Sequence, residues 1–283
     1  MTRRPSLEVR LARAGLDGER ALDDLRTAGL VQDGEVDDAD IELLGSAAAP
    51  ADAAAVLASL ATSSPELLAR VRADGEWLAR VVAVAGASRP LGELLGRGTD
   101  AVLALADLYP VEVEPTAAAV EVAVLGADDA DAQAAGIASI RRRATADIAG
   151  RDLTGALDVE GVATELADLA QAVLTGTLAA VHAMHAGDTP SARIAVIGMG
   201  KLGGRELNYV SDVDVMFVHE PVDGASDEAA ASEATQVCSR LLELLNASTT
   251  MGRAYEVDPT LRPEGRSGAL SRTVDGFVAY WER

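Results

Sequence analysis

Apolar residues over the first 190 positions recur mostly at helical spacing, and after Pro190 the pattern changes to short β-type runs separated by a glycine-rich loop. The clearest helix spans Val159 to Ala186, where Val162, Leu166, Leu169, Val173, Leu178 and Val181 fall three to five residues apart and form one apolar stripe. Gly187, Asp188 and Pro190 are expected to end it. Upstream, residues 1 to about 45 predict two short helices with acidic turns around 33–40, and Ala51–Leu60 predicts an alanine-rich helix. Ser63-Ser64-Pro65-Glu66 reads as a helix start: a hydroxyl cap, a first-turn proline and an early acid. That helix should run through Leu67, Leu68, Val71, Trp77 and Leu78, with a break near Gly75. Further helices are predicted over Arg80–Ala87, Leu91–Leu95, Asp100–Leu108 and Ala130–Ala149, with Pro110 and Pro115 bracketing an extended link. In the last of these helices Arg143 and Asp147 stand at pair spacing. Its Arg141-Arg142-Arg143 reads as a solvated face, the alternative being a face that helps hold an anionic substrate.

Beyond Pro190, Ile194–Ile197 is a β-type run leading into Gly198, Gly200, Gly203 and Gly204, and Val213–Val218 is a second. A helix from about Ser226 to Leu245, a third strand over Arg253–Asp258 and a tail helix over Thr273–Arg283 follow. That tail has no capping residue at its end, so the chain is expected to be a piece of a longer one. The expected fold is α+β, with a helical domain over residues 1–190 and a mixed sheet with flanking helices over residues 191–283, truncated at its C-terminal end. No internal repeat or low-complexity linker is evident.

Charge narrows the function. Residues 1–190 carry 15 Arg against 31 Asp and Glu, and the 283-residue chain has a net charge of -21. Such a surface repels a bare nucleic-acid backbone. The single cysteine, Cys238, excludes an internal disulfide and a cysteine-based zinc site. His182, His185 and His219 make no credible ligand set. Neither a signal peptide nor an apolar segment of the roughly 18–20 residues needed to span a bilayer is expected. A reducing cytoplasm fits these features.

The stretch RIAVIGMGKLGGRELNYVSDVDVMFVHE, from Arg193 to Glu220, carries the candidate chemistry. Asp212 and Asp214 are two apart at the start of a strand, so both project from one face. Adjacent like charges repel, and a pair of this kind suits a divalent cation. Lys201 is the only lysine in the chain and lies in the glycine loop. Gly198-Met199-Gly200-Lys201-Leu202-Gly203 satisfies the dinucleotide pattern, but Val213 begins the next strand only nine residues after Gly204, which leaves no room for a crossover helix. The P-loop pattern fails because Leu202 follows Lys201. What survives is a nucleotidyltransferase arrangement: a phosphate loop at Gly203-Gly204 and paired aspartates at Asp212 and Asp214. The third acid is expected on a neighbouring strand, at Asp258 with Glu256 as its rival. Lys201, Arg205, Ser211 and Arg262 are candidate phosphate contacts. The structural alternative is an ion pair of either arginine with Glu206 or Glu264, and a turn-shaping role for Ser211.

The segment GMGKLGGRELNYVSDVDVMFV closely resembles the nucleotidyltransferase core of the bacterial glutamine synthetase adenylyltransferases. Val257-Asp258-Pro259-Thr260-Leu261-Arg262-Pro263-Glu264-Gly265, with Ser267-Gly268-Ala269-Leu270, is similar to the family's second signature. The helical stretch from Arg141 to Leu174 is similar to the region ahead of the first core. The resemblance covers roughly residues 60–283 and implies a polymerase-β-like fold. Glu206-Leu207-Asn208-Tyr209 is similar to the N-terminal of two such cores, which in the family removes AMP from a modified tyrosine of glutamine synthetase by phosphorolysis, releasing ADP. The alternatives are attachment of AMP from ATP, or a non-catalytic fragment that docks glutamine synthetase or a PII-type nitrogen-signalling protein. Carried over by position, the resemblance implies that Asp212, Asp214 and Asp258 hold Mg²⁺ or Mn²⁺ and that Lys201, Gly203, Gly204 and Arg205 form the phosphate loop. Pro259-Thr260 departs from the family pattern, which leaves Arg262 without its usual neighbour.

Overall fold

The computed structural model describes residues 4–186 and 189–282, so Gly187 and Asp188, expected to end the long helix, lie outside the described residues. The chain divides into two compact units, Met1–Tyr109 with Arg143–Asp158, and Pro110–Arg142 with Val159–Arg283.

The first unit contains α1 (Leu7–Arg13), α2 (Glu19–Thr27), α3 (Asp38–Gly45), α4 (Pro50–Ser63), α5 (Pro65–Ala73), α6 (Gly75–Ala85), α7 (Arg89–Gly96) and α8 (Thr99–Ala104). A short antiparallel hairpin, β1 (Val31–Gln32) and β2 (Glu35–Val36), interrupts the helices. Its turn residues Asp33 and Gly34 both have positive φ, +52° and +77°, the Asp-Gly signature of a two-residue hairpin. Helix α4 is the hub. Its fully buried Ala53 and Ala54 let neighbouring helices approach closely. The expected break near Gly75 has a cause: the Asp74 carboxylate accepts the N–H groups of Glu76 and Trp77, each at 3.0 Å, and restarts the helix there. A single helix α6 therefore replaces the separate one expected from Arg80. Ser64 makes no capping hydrogen bond, so Pro65 alone marks that start. Asp147, expected to meet Arg143, pairs with Arg151 at 2.9 Å and accepts the Tyr109 N–H at 2.8 Å.

The second unit opens with α9 (Val113–Leu125), whose first turn falls within the Pro110–Pro115 link expected to be extended. Pro115 lies in the first turn, where its missing N–H costs nothing. The valines of this helix find their partner in α11 (Val159–Ala186). At Gly176 the approach is so close that a Cβ would stand 2.2 Å from the Ala117 carbonyl oxygen. α10 (Ala130–Leu153) contributes Ala130–Arg142 here and its remainder to the first unit. Contrary to the sequence expectation, α11 is long and apolar enough to cross a membrane, with a mean hydropathy of 1.2 in its most apolar window. Of that window 61% is buried inside the protein, as in a core helix.

The sheet comprises β3 (Ala192–Gly198), β4 (Val213–Pro221), β5 (Val257–Asp258) and β6 (Ser271–Arg272). β3 runs antiparallel to β4 from Ala192↔Pro221 to Gly198↔Val215. β5 and β6 lie parallel to β4 on its other side, with Val213↔Val257, Asp214↔Asp258 and Phe217↔Ser271 in register. A single-turn α12 (Gly200–Gly203), α13 (Asp227–Asn246) and α14 (Val274–Trp281) complete the unit. Ser226 and Thr273 cap the last two through Ala229 N–H and Gly276 N–H. The third strand, expected over Arg253–Asp258, shrinks to its last two residues. Arg253 pairs with Glu256 at 3.2 Å, and the Tyr255 N–H turns to the Leu245 carbonyl at 3.1 Å, both outside a ladder. Val213, Val215, Phe217 and His219 form the buried face of β4, against which α13 packs. Burial pushes the Cys238 thiol on α13 up to about 12, so it is inert core.

The architecture is α+β, as the pattern predicts. The change of character at Pro190 is present, yet the unit holding the sheet also takes in α9, the first part of α10 and α11. Glu233 on α13 is one reason. Its buried carboxylate accepts the N–H groups of Ser191 (2.8 Å) and Ala192 (3.1 Å) and meets His182 Nε2 of α11 at 3.0 Å. Burial alone would raise this carboxyl, but these hydrogen bonds outweigh it and hold it below the usual range.

Candidate active site

The acids are placed by β4 and its short neighbour. Asp212 immediately precedes β4 and Asp214 is the strand's second residue, so the two share the half-exposed face. Asp258 stands directly opposite Asp214 on parallel β5. A two-residue strand has little hold of its own, and Asn246 at the end of α13 supplies it. Its Oδ1 accepts the Val257 N–H at 3.1 Å and its Nδ2 donates to the Val257 carbonyl at 3.4 Å, as an adjacent strand would. The Asp258 carboxylate accepts the Thr260 N–H at 2.7 Å, which fixes its orientation. Glu256, the rival third acid, is exposed and engaged with Arg253.

The electrostatics tie the three acids together. The Asp214 carboxyl is raised above its ordinary value by burial first, then by the charges of Asp212 and Asp258, with Lys201 opposing. Asp258 is held below the usual range, chiefly by its hydrogen bonds to Thr260, with Arg266 and Arg262 helping against burial. Among the described residues no three His, Cys, Asp or Glu side chains are gathered closely enough to form a ready-made metal cage. Mg²⁺ does not demand one: it keeps several waters and binds through one or two carboxylates plus substrate phosphate. The hard oxygens on neighbouring strands fit that mode.

The glycine loop is more ordered than its sequence suggests. The Met199 N–H donates to the Asp214 carbonyl at 2.8 Å, extending the β3–β4 ladder by one bond. Gly200 follows with φ +51°, and a Cβ there would lie 2.5 Å from Asp214 Oδ2, so any other residue would be strained and would displace this carboxylate. The next residues form the single turn α12. The N–H groups of Gly203 and Gly204 donate to the Met199 and Gly200 carbonyls, at 2.9 and 3.0 Å, inside the turn. Lys201 Nζ reaches Ser211 Oγ at 3.4 Å, and Ser211 Oγ donates to the Asp212 carbonyl at 2.9 Å.

The two arginines point elsewhere. Arg205, with φ +57°, forms an ion pair with Asp168 of α11 at 2.8 Å, in place of the expected pairing with Glu206. It lines a cavity of about 410 Å³ between α11 and the glycine turn, together with Leu174, Leu178, Val196 and Leu202. Val196 pairs in register with Phe217 of the buried β4 face, so this cavity lies across the sheet from Asp214. Arg262 donates to the carbonyls of Pro259 (2.8 Å), Gly268 (3.2 Å) and Arg266 (3.3 Å), stapling its own loop. Glu264 pairs with Arg272 at 2.6 Å. The structure thus brings Asp212, Asp214, Asp258, Lys201 and Ser211 together. It keeps Gly203 and Gly204 within the turn, and commits Arg205 and Arg262 to structural contacts. Asn246 and Glu233 escaped the sequence reading because a polar residue on a helix carries no local sign of the backbone it will meet.

Comparison with known proteins supplies the context. The family model described as "Glutamate-ammonia ligase adenylyltransferase" matches residues 78–283. The chain is 37% identical, over 290 aligned residues, to the bifunctional glutamine synthetase adenylyltransferase/adenylyl-removing enzyme of Streptomyces avermitilis, an alignment covering 99% of this chain and 28% of the relative. It is 40% identical to the protein of the same name from Corynebacterium diphtheriae over 76% of this chain and 22% of the relative. With that of Corynebacterium glutamicum the identity is 45% over 51% of this chain and 14% of the relative. The chain therefore spans less than a third of the length of these relatives. On a family match covering more than half the chain, with a third or more of the aligned residues identical in these relatives, the chain belongs to the glutamate-ammonia ligase adenylyltransferase family.

Proposed function

We propose that this chain carries a metal-dependent nucleotidyltransferase site that removes AMP from an adenylylated tyrosine of glutamine synthetase by phosphorolysis. The observation that carries the reading is the in-register pair Asp214 and Asp258 on adjacent parallel strands, with Asp212 two residues away and Lys201 beside them. The family match and the relatives' names support the substrate class.

In the proposed reaction an oxygen of inorganic phosphate attacks the AMP phosphorus. The bond to the tyrosine oxygen breaks, ADP forms, and the phenolic oxygen takes up a proton. Asp212, Asp214 and Asp258 would hold Mg²⁺ or Mn²⁺, which when bound neutralises the phosphates and polarises the phosphorus. Lys201 supplies a mobile cation near Ser211 for the phosphate oxygens. Thr260 holds the Asp258 carboxylate ionised and aimed, and Gly200 leaves the space that the Asp214 carboxylate occupies. Burial first, and then the charges of Asp212 and Asp258, raise the affinity of Asp214 for protons, and a cation bound there would oppose both.

The test supplies adenylylated glutamine synthetase, phosphate and Mg²⁺ and measures ADP. Release of ADP that disappears in the Asp212→Asn, Asp214→Asn double variant is the expected result. Unchanged release in that variant rules out the metal assignment. Incorporation of label from ATP without any ADP release would instead assign the attachment direction.

A further inference from the structure

The triple arginine at 141–143 is a motif that the reaction above leaves unused. Within the second unit, Arg141 is half-buried on α10. Its Nη2 donates to the Tyr209 carbonyl at 3.3 Å. Its guanidinium also lies over the Tyr255 ring, 5.0 Å from the centroid, and Tyr255 is 7% exposed. Tyr209 is three residues before Asp212, and Tyr255 is three residues before Asp258. Both intervening stretches lack extended regular structure. No helix or strand covers Glu206–Asp212, and β5 is only Val257–Asp258. One side chain on a long helix therefore grips the approach to each acid-bearing segment. A guanidinium suits this because its planar fork donates along its edge while its face stacks on an aromatic ring. These contacts engage it with the protein, so it is not poised as a bare substrate anchor.

We infer that Arg141 is a positioning residue that sets the separation between the Asp212–Asp214 segment and Asp258 by bridging Tyr209 and Tyr255. The inference rests on the metal-dependent reading for its functional consequence, but its geometric part stands separately. Replacing Arg141 by Met keeps an apolar stem over Tyr255 and removes both the donor and the charge. Arg141→Lys keeps a cation that satisfies one contact at a time.

The decisive measurements are amide hydrogen exchange on the 283-residue chain, Mn²⁺ binding followed by the electron paramagnetic resonance of the free ion, and ADP release. In folded Arg141→Met, exchange should rise about tenfold in both 206–214 and 254–258 and stay unchanged in α13. Mn²⁺ affinity and kcat should each fall about tenfold, while KM for phosphate holds and the Lys variant lies between. Unchanged exchange, loosening of only one segment, or unaltered Mn²⁺ affinity despite loosening overturns the inference. Should Arg141→Met not fold, Arg141→Lys is judged by the same three readouts. If the unaltered chain binds no Mn²⁺ and releases no ADP while exchange still rises in both segments, the catalytic reading fails and the bridge survives as structural.

Discussion

The two faces of β4 carry opposite kinds of residue, and the contrast separates folding from chemistry. One face presents Val213, Val215, Phe217 and His219, all buried against the helices. The other presents Asp214, Met216, Val218 and Glu220, of which only Met216 is buried. The buried face gains free energy by leaving water. On the open face Asp214 is partly desolvated and feels the charges of Asp212 and Asp258, which together raise its carboxyl and cost the metal-free protein free energy. The same alternation extends to β3, whose Val196 and Gly198 turn to the helical side with the cavity, while Ile197 is 42% exposed on the other.

If this division is right, substitutions on the two faces should have separable effects. The largest is at Asp214. Asp214→Asn should lower ADP release by about a thousandfold. The folded carboxyl is raised above 3.8, so the folded state holds the proton more tightly and ionisation costs stability as pH rises through that window. The metal-free Asn variant should therefore melt slightly higher than the parent at pH 7. A variant that melts lower would show that ionising Asp214 does not cost the folded state stability. On the buried face, Phe217→Ala should cost about 3–5 kcal/mol in urea unfolding, with kcat per folded molecule nearly unchanged at low temperature.

Smaller effects sharpen the boundary between the faces. Gly200→Ala must adopt φ +51° and place its Cβ against Asp214 Oδ2, so a stability loss of about 1 kcal/mol should accompany about a tenfold fall in ADP release. Equal activity in this variant would mean that Asp214 does not need its present position. Asn246→Ala should cost about 1–2 kcal/mol and loosen β5, seen as faster exchange at Val257. The mildest test is pH. Burial holds His219 below its ordinary 6.5, and its Nδ1 meets Ser271 Oγ at 2.8 Å. Between the lowered value and 6.5 the unfolded chain binds a proton that the folded chain refuses. Stability is therefore complete above 6.5 and falls as pH drops through that window. His219→Asn should remove that part of the slope in urea melts between pH 7.5 and 5.

Much of this was legible in the chain. The stripe from Val162 to Val181 gave α11 to the residue, and the β-type runs Ile194–Ile197 and Val213–Val218 gave β3 and β4, each of which extends beyond its run. Asp212 and Asp214 stood out because acids flanked by residues that want burial need a reason, and Asp258 stood out because it ends the RAYEVD run beside them. The misses share one cause. α9 is rich in valine and follows a proline, so local propensity argues against helix, and its packing on Gly176 reverses the balance. RAYEVD has strand composition, yet the Leu245 carbonyl takes the Tyr255 N–H before a ladder can begin.

The sequence alone determined the periodicities, the paired aspartates at the start of a strand and the family, because each is written in spacing between near neighbours. Only the tertiary structure decided where the long side chains went. Arg205 chose Asp168, Arg262 chose the carbonyls of its own loop, and Arg141 chose Tyr209 and Tyr255. A guanidinium satisfies itself with any carbonyl, carboxylate or ring brought within reach, and what is within reach depends on residues tens of positions away. Chemistry could be read from residue type, but partnership had to wait for the fold.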